Sequence, residues 1–235
     1  MKKLAVFVEG LTEQMFVEKL VTEIFGQHAV NIDKRKVLGG RNSKRRFIQI
    51  GAIKPDLSKS YYVLVVDCSS DNRVKSEIKD QYESLVNAGY SAIVGIRDVY
   101  PDFDYAEVPK LHRVLKHKLK TVPIEVLFVL GVMEIETWFL AECTHFFRLN
   151  SALTIDAIRA TCGFDPSSDE VEKRPCPSKD LDNIYKIAGM RYIKKRKYLQ
   201  RTVDCLDYAV LYLELSRKIS DLDKFVKAMD VFIGN

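Results

Sequence analysis

The stretch Leu4-Ala5-Val6-Phe7-Val8-Glu9-Gly10 decides the fold class of this 235-residue chain. Its first five residues form a continuous apolar run, which is typical of a central strand in a parallel sheet. After Glu9-Gly10, apolar residues recur at helical spacing, at Phe16, Leu20 and Ile24. We place the N-cap of this helix at Thr12, with Glu13 in its first turn, and the C-cap at Gly26. The stretch therefore predicts a strand, a tight turn and a helix.

Strand and helix patterns continue to alternate along the first part of the chain. Further strands are predicted at about 30–38, 61–66, 92–96 and 126–132. Helices are predicted between and after them, at about 43–53, 72–88, 105–120 and 135–143. This alternation predicts an α/β fold with a mainly parallel sheet flanked by helices on both faces.

The strand patterns stop after about residue 150. Residues 151–163 have a helical pattern, residues 164–179 contain three prolines and read as a loop, and residues 180–233 indicate two or three amphipathic helices. We therefore expect an α/β domain at 1–145 and a helical C-terminal region at 146–235. The pattern leaves open whether that region is a separate domain or packs on the sheet.

Composition and charge bound the class of protein. Hydrophobic residues make up 47 % and charged residues 29 %, which excludes a disordered or low-complexity chain. The excess of 37 Lys and Arg over 32 Asp and Glu permits a nucleic-acid partner. Five scattered cysteines without a C-x-x-C pair indicate reduced thiols and no zinc site. The apolar runs are too short for an export signal or a membrane span, so we expect a cytoplasmic protein with no membrane partner.

Carboxylates follow four of the predicted strands. They are Glu9, Asp67 with Asp71, Asp98, and Glu134 with Glu136. Because ligands bind at the carboxyl ends of parallel strands, we expect these groups to converge at one edge of the sheet. Close carboxylates repel one another unless a cation lies between them, and hard oxygen ligands suit Mg²⁺ or Mn²⁺. Each carboxylate taken alone also suits helix capping or solvation.

Motifs of other enzyme classes are missing. The sequence contains no G-x-x-x-x-G-K-[ST], no G-x-G-x-x-G and no G-x-S-x-G pattern. A P-loop motor and a dinucleotide-dependent enzyme are therefore unsupported. A pair of metal ions on the strand-end carboxylates would instead suit phosphodiester chemistry, because two ions can clamp the attacking and leaving oxygens.

Positive charge is concentrated in three segments. One contains Arg41, Lys44, Arg45 and Arg46, and another covers 110–120. The densest segment covers 191–201, where tyrosines lie among basic residues that include Lys194, Lys195, Arg196 and Lys197. Basic side chains neutralise phosphates and aromatic rings stack on unpaired bases, so we expect the first and last segments to bind nucleic acid. A solvated helix face or docking to an acidic protein would fit the same charges.

Several stretches resemble one protein family. The segment from Val6 to Val17, with Glu9-Gly10 and Thr12-Glu13, resembles the opening of Toprim domains. Val66-Asp67, followed by Asp71, and Met133-Glu134-Ile135-Glu136-Thr137-Trp138-Phe139-Leu140 resemble later elements of small Toprim nucleases related to the OLD family. Pro177-Ser178-Lys179 and Tyr192-Ile193-Lys194-Lys195 give a weaker third match. Such nucleases are commonly encoded beside an ABC-type ATPase in phage-defence systems of the PARIS type.

The resemblance implies a Toprim-like catalytic domain over about 1–143 and a set of site residues. Glu9 matches the family glutamate that acts as general acid/base or metal ligand. Metal ligands are implied at Asp67, Asp71, Glu134 and Glu136, with Mg²⁺ or Mn²⁺ as cofactor. Lys194 matches a lysine that stabilises phosphate charge, and it equally suits a solvated basic face. The chain departs from the family D-x-D, since Ser69 stands where the second aspartate would fall, and Asp71 or Asp98 is left as the second ligand.

The resemblance also implies a biological role. We expect a Mg²⁺-dependent nuclease that acts as an abortive-infection effector, is controlled by a partner ABC-type ATPase and is a homodimer when active. RNA such as tRNA is the expected substrate, ahead of DNA. The altered D-x-D favours an alternative, a catalytically inactive Toprim-fold module that docks on an ATPase or on nucleic acid. Primase-like synthesis is a third possibility, disfavoured by the lack of recognisable zinc-binding and template-binding modules.

Overall fold

A computed structural model describes residues 1–39, 43–51 and 54–234 of the chain. Over these residues the protein has an α/β fold built on a six-stranded, mostly parallel sheet, as predicted. The strands follow one another in space in the order β3-β2-β4-β1-β5-β6. Their bounds are β1 Lys2–Val8, β2 Val30–Leu38, β3 Arg46–Gln49, β4 Tyr61–Asp67, β5 Ala92–Asp98 and β6 Val126–Gly131.

Ten α-helices flank the sheet or follow it in the described part of the chain. Four of them alternate with the strands or directly follow the last one: α1 Leu11–Phe25, α2 Val74–Asn87, α3 Val108–Lys116 and α4 Glu136–Ala141. The remaining six lie toward the C-terminus: α5 Thr144–Leu149, α6 Ile155–Cys162, α7 Pro177–Ile187, α8 Arg196–Cys205, α9 Tyr208–Leu213 and α10 Ser220–Ile233. None of the described helices is both long enough and apolar enough to cross a bilayer.

The opening stretch forms the predicted central strand. β1 pairs in parallel with β4 on one side and β5 on the other, and Val8 lies opposite Asp67. The residues from Leu4 to Val8 are buried because both faces of the strand are covered. The predicted N-cap at Thr12 is wrong. Helix α1 begins two residues earlier, with Gly10 as its N-cap, and the Glu13 carboxylate accepts a hydrogen bond from Gly10 N–H at 2.9 Å.

The predicted helix at 43–53 is wrong where the structure describes it. Residues Arg46–Gln49 form β3, an edge strand that pairs antiparallel with β2 and places Arg46 opposite Leu38. All four side chains are exposed, so this segment has no apolar face that a helix could bury. Phe47 and Ile48 favour an extended backbone, and β2 supplies the hydrogen-bond partners.

The helical C-terminal part contains more and shorter helices than predicted. Helix α5 was not expected, and α6 begins at Ile155 rather than 151. Helix α7 begins at Pro177, inside the loop predicted at 164–179, and four described α-helices stand where two or three were predicted at 180–233. Local capping explains two of these boundaries. The Thr154 side chain accepts a hydrogen bond from Ala157 N–H, and the Asp207 carboxylate accepts from Ala209 and Val210 N–H. The predicted helix at 105–120 is likewise shorter and ends at Lys116.

The described residues divide into two compact units. The first contains Met1–Arg97, His112–Val129 and Lys227–Asn235, and the second contains Asp98–Leu111 and Leu130–Val226. The first unit holds most of the sheet and an aromatic cluster of Phe25, Tyr61 and Phe232, with ring centroids 5.1 to 5.8 Å apart. The second unit is mainly helical, and its core contains Trp138, Phe146 and Tyr185.

Candidate functional site

Two acidic residues of the second unit share one lysine. Glu134 lies in the turn after β6, and Glu136 begins α4. Both are buried, with exposed fractions of 7 % for Glu134 and 0 % for Glu136. The Lys194 ammonium nitrogen lies 3.1 Å from Glu134 Oε1 and 3.0 Å from Glu136 Oε1. We use the name Glu134–Glu136 cluster for these three residues together with Ser178 and Tyr192.

Ser178 fixes the Glu134 carboxylate. Its backbone N–H donates to Glu134 Oε2 at 2.7 Å, and its hydroxyl donates to Glu134 Oε1 at 2.9 Å. Ser178 lies in the first turn of α7, directly after Pro177. The N-terminus of a helix presents unpaired N–H groups and a partial positive charge, so it stabilises an anion placed there. Glu134 is therefore held in one orientation by the backbone of α7.

Glu136 is less well satisfied. Its Oε1 accepts a hydrogen bond from the Tyr192 hydroxyl at 2.7 Å, whereas its buried Oε2 has no hydrogen-bond partner among the described residues. Burial raises the pKa of Glu136, and the charge of Glu134 adds to this effect, while Lys194 and Tyr192 oppose it. A buried carboxylate oxygen without a donor destabilises the fold. The cluster therefore contains an anionic group that the protein itself only partly compensates.

A tight turn brings Glu134 and Glu136 to this position. The Asp98 carboxylate at the end of β5 accepts a hydrogen bond from Ile135 N–H at 2.8 Å. Val99 N–H donates to the Gly131 carbonyl at 3.1 Å, and Tyr100 N–H donates to the Met133 carbonyl at 2.7 Å. Met133 has a positive φ of 60°, in the left-handed region that residues other than glycine seldom adopt. The turn is thus held by one carboxylate and by backbone bonds on either side of it.

In the first unit, Asp67 is held at the end of β4. Its Oδ1 accepts from Ser69 N–H at 2.7 Å and from the Ser69 hydroxyl at 3.3 Å. Its Oδ2 lies 2.9 Å from the Lys36 ammonium nitrogen. Ser69, two residues after Asp67, has a φ of 60°, and its hydroxyl also donates to the Val37 carbonyl at 2.9 Å. Both oxygens of Asp67 therefore have partners.

Glu9 lies at the end of the strand next to β4. Its carboxylate is 3.8 Å from Arg97 Nε, and Arg97 Nη2 donates to the Asn72 side chain at 3.2 Å. Cys68 lies nearby, and burial together with the negative charges of Glu77, Asp67 and Glu9 raises the pKa of its thiol. A thiol that resists ionisation is a poor nucleophile.

The remaining predicted residues divide into three groups. Arg41 lies outside the described residues, and Asp71 begins a short 3-10 turn, with its side chain outside the described part. Arg45 is held by the Glu77 and Asp80 carboxylates at 3.0 and 2.6 Å. The other predicted nucleic-acid contacts are exposed: Lys44 and Arg46 near β3, and Lys195, Arg196 and Lys197 at the start of α8.

The fit to a metal ion depends on the Glu134–Glu136 cluster. Within 1–39, 43–51 and 54–234, no three His, Cys, Asp or Glu side chains are grouped so that they could hold a metal. Mg²⁺, however, is often bound by one or two carboxylates with water and substrate phosphates as its other ligands. Glu134 and Glu136 offer such a pair, and Oε2 of Glu136 is a buried anionic oxygen that still lacks a partner. The donor set therefore fits a hard divalent cation.

Sequence reasoning missed the residues that orient the carboxylates. Ser178 and Tyr192 belong to the weaker matched stretches, but nothing in their spacing linked them to Glu134 and Glu136. Lys36 reaches Asp67 because the parallel register places these two residues opposite each other, and a sequence does not give that register directly. No protein-family model, no curated protein and no solved structure matches this chain.

Proposed function

We propose that the protein is a metal-dependent Toprim-type nuclease that acts as a phage-defence effector. The observation that carries the proposal is the buried Glu136 carboxylate, which has one unpartnered oxygen and shares Lys194 with Glu134. Two buried carboxylates and one ammonium group leave a net negative charge that folding alone does not favour. Groups whose environment opposes their charge are concentrated at functional sites.

The residues of the cluster have distinct roles in this proposal. Glu134 and Glu136 would hold Mg²⁺ or Mn²⁺, which when bound would neutralise charge on the phosphate and favour attack at phosphorus. Ser178 and Tyr192 keep the two carboxylates oriented. Lys194, whose side chain is 44 % exposed, stabilises negative charge on a phosphate oxygen. For the first unit the resemblance assigns Glu9 as general acid/base or metal ligand and Asp67 as a metal ligand, and these two roles are proposed on that basis alone.

Two observations support nucleic acid as the substrate. Three stretches that resemble the family lie apart in the sequence but contribute to one cluster. Ser178, Tyr192 and Lys194 each contact Glu134 or Glu136. The exposed Lys195, Arg196 and Lys197 directly follow Lys194, so phosphates can bind beside the carboxylates. RNA such as tRNA, a partner ABC-type ATPase and an active homodimer are further parts of the proposal that come from the resemblance. A cytoplasmic location is also part of it, and comes from the short apolar runs and the scattered cysteines of the sequence.

The test compares cleavage of tRNA and of plasmid DNA with Mg²⁺, with Mn²⁺ and with EDTA. We expect metal-dependent cleavage by the natural protein and its loss in Glu136→Gln and in Glu9→Ala. Glu125→Gln is the matched control for the charge change, because Glu125 is exposed and precedes β6. Equal cleavage by the natural protein and both site variants would overturn the assignment.

One observation favours a second function, that of an inactive binding module. Both oxygens of Asp67 are occupied, by Ser69 and by Lys36, as expected for a carboxylate with a structural role. In that case the fold docks on an ATPase or on nucleic acid without hydrolysing it. Calorimetry separates the two functions, since a protein that binds neither Mg²⁺ nor Mn²⁺ in the presence or absence of RNA is the module.

A further inference from the structure

The Lys194 ammonium group lies where a cation between Glu134 and Glu136 would lie. It contacts one oxygen of each carboxylate, Oε1 in both cases, at 3.1 and 3.0 Å. A metal ion bound by both residues must approach Glu134 at Oε1, because Ser178 N–H already occupies Glu134 Oε2, and Oε1 is the oxygen that Lys194 contacts. An ammonium group and a divalent ion repel each other strongly at such a separation, particularly in a buried site. The two cations therefore compete for one position.

The lysine is the most exposed member of the cluster. Glu134 is fixed by two hydrogen bonds from Ser178, and Glu136 is fully buried and bonded to the buried Tyr192. The Lys194 side chain is 44 % exposed and precedes α8, so it can rotate into solvent without opening the core. Its long side chain has free rotation about several bonds, and the ammonium group is well hydrated once released. Exchange at this position thus begins with the most exposed side chain of the cluster.

We propose that Lys194 is the resident counter-cation of the Glu134–Glu136 pair and that a divalent metal ion binds by displacing its ammonium group. This inference rests on the proposed function, because it assigns the same two carboxylates to the metal. Without metal, Lys194 compensates two buried charges and stabilises the fold. With metal, the ammonium group is released beside the site. Lys194 therefore weakens metal binding while it protects the metal-free protein.

The experiment uses the full chain and four proteins: the natural protein, Lys194→Gln, Lys194→Arg and Lys195→Gln. Mn²⁺ and Mg²⁺ affinities are measured by calorimetry, and melting temperatures are measured with EDTA and with Mn²⁺. Lys195→Gln is the matched control, since it removes an equal charge from the adjacent exposed position. Lys194→Arg keeps the charge.

We expect Lys194→Gln to bind Mn²⁺ at least about tenfold more tightly than the natural protein and Lys195→Gln, because a competing cation is gone. Its melting temperature should be lower in EDTA and should rise more on addition of Mn²⁺. Lys194→Arg should resemble the natural protein. If Lys194→Gln is unfolded in EDTA, recovery of a cooperative melt with Mn²⁺ supports the inference and no recovery overturns it.

The outcomes separate the inference from the proposed function. Binding of Mn²⁺ by the natural protein with no gain in Lys194→Gln overturns the inference and leaves the metal role of Glu134 and Glu136 in place. Absence of binding in all four proteins overturns the metal role and the exchange together.

Discussion

Asp98 and Gly131 approach so closely that no side chain fits between them. A Cβ atom on Gly131 would collide with Asp98 Oδ1 and would lie 2.7 Å from the Ile135 nitrogen. The same Asp98 oxygen accepts the Ile135 hydrogen bond that holds the turn before Glu136. Gly131 is therefore required by the close approach of the chain, and the position of both acidic residues of the cluster depends on it.

Substitution of Gly131 by alanine should lower the free energy of unfolding by about 1–3 kcal/mol, because backbone and a buried carboxylate must move. Gly10→Ala is the control, since a Cβ there meets only Glu13 Oε2, at an ordinary 3.5 Å. Urea denaturation measures both variants. A Gly131→Ala protein as stable as Gly10→Ala would show that the turn adjusts freely.

Replacing Glu136 by glutamine should stabilise the metal-free protein at neutral pH. Burial raises the pKa of Glu136, so the folded protein holds this proton more tightly than the unfolded chain does. The protonated Glu136 carboxyl group contributes its full stabilisation at pH values below its pKa in the unfolded chain. This contribution is lost as the pH rises through the higher pKa that Glu136 has in the folded protein. Glutamine keeps an acceptor for Tyr192 and does not ionise.

The measurement is the melting temperature in EDTA at pH 4 and at pH 8, for the natural protein and for Glu136→Gln. We expect the Glu136→Gln substitution to raise the melting temperature more at pH 8 than at pH 4. A difference between the two proteins that does not change with pH would contradict the raised pKa. Glu125→Gln again controls for removal of an exposed charge.

Removal of the Tyr192 hydroxyl should weaken metal binding while the ring keeps its packing. Tyr192→Phe keeps the buried ring, 5.9 Å from the ring of Tyr185, and loses the 2.7 Å hydrogen bond to Glu136. Loss of a residue that orients a metal ligand typically costs about 10–100-fold in metal affinity. Tyr198→Phe is the control, and calorimetry with Mn²⁺ is the measurement. Equal affinities would show that Tyr192 does not orient Glu136.

Exposed cations at the start of α8 should set the salt dependence of RNA binding. The triple variant Lys195→Gln, Arg196→Gln and Lys197→Gln should reduce the slope of log K against log salt by about 2, because each contact to single-stranded RNA contributes about 0.7. Arg45→Gln should leave the slope unchanged, since Arg45 is held by Glu77 and Asp80. Filter binding in EDTA measures the slope without cleavage. If the slope falls by the same amount in the triple variant and in Arg45→Gln, the cations at the start of α8 do not make the RNA contacts.

A lysine outside the cluster tests the backbone of the first unit. Lys118 is exposed and has a positive φ of 56°, so Lys118→Gly should raise the free energy of unfolding by up to about 1 kcal/mol. Lys116→Gly, in the last turn of α3, should lower it by about 1 kcal/mol. Thermal unfolding of the two variants should therefore shift in opposite directions.

The parts of the fold that depend on local pattern were predictable. The apolar run before Glu9 indicated a central strand because burial on both faces requires a continuous apolar run. The segment around Phe47 was misassigned because its structure depends on antiparallel pairing with β2. All four of its side chains are exposed, so it lacks the alternation of buried and exposed residues by which strands are predicted. Lys36 and Ser178 were missed for a related reason, since each meets its carboxylate through strand register or helix placement. A sequence shows which carboxylates follow strands, but it does not show which cations and donors hold them.

The aromatic cluster of Phe25, Tyr61 and Phe232 has a consequence for synthesis. Its members come from α1, β4 and α10, and Phe232 of α10 is the last of them in the chain. Phe232 is therefore synthesised only after most of the second unit has been made. A nascent chain that ends before residue 227 carries an exposed apolar patch on the first unit. Co-translational folding of that unit should therefore be completed late, and truncated products should be the ones that chaperones and proteases bind.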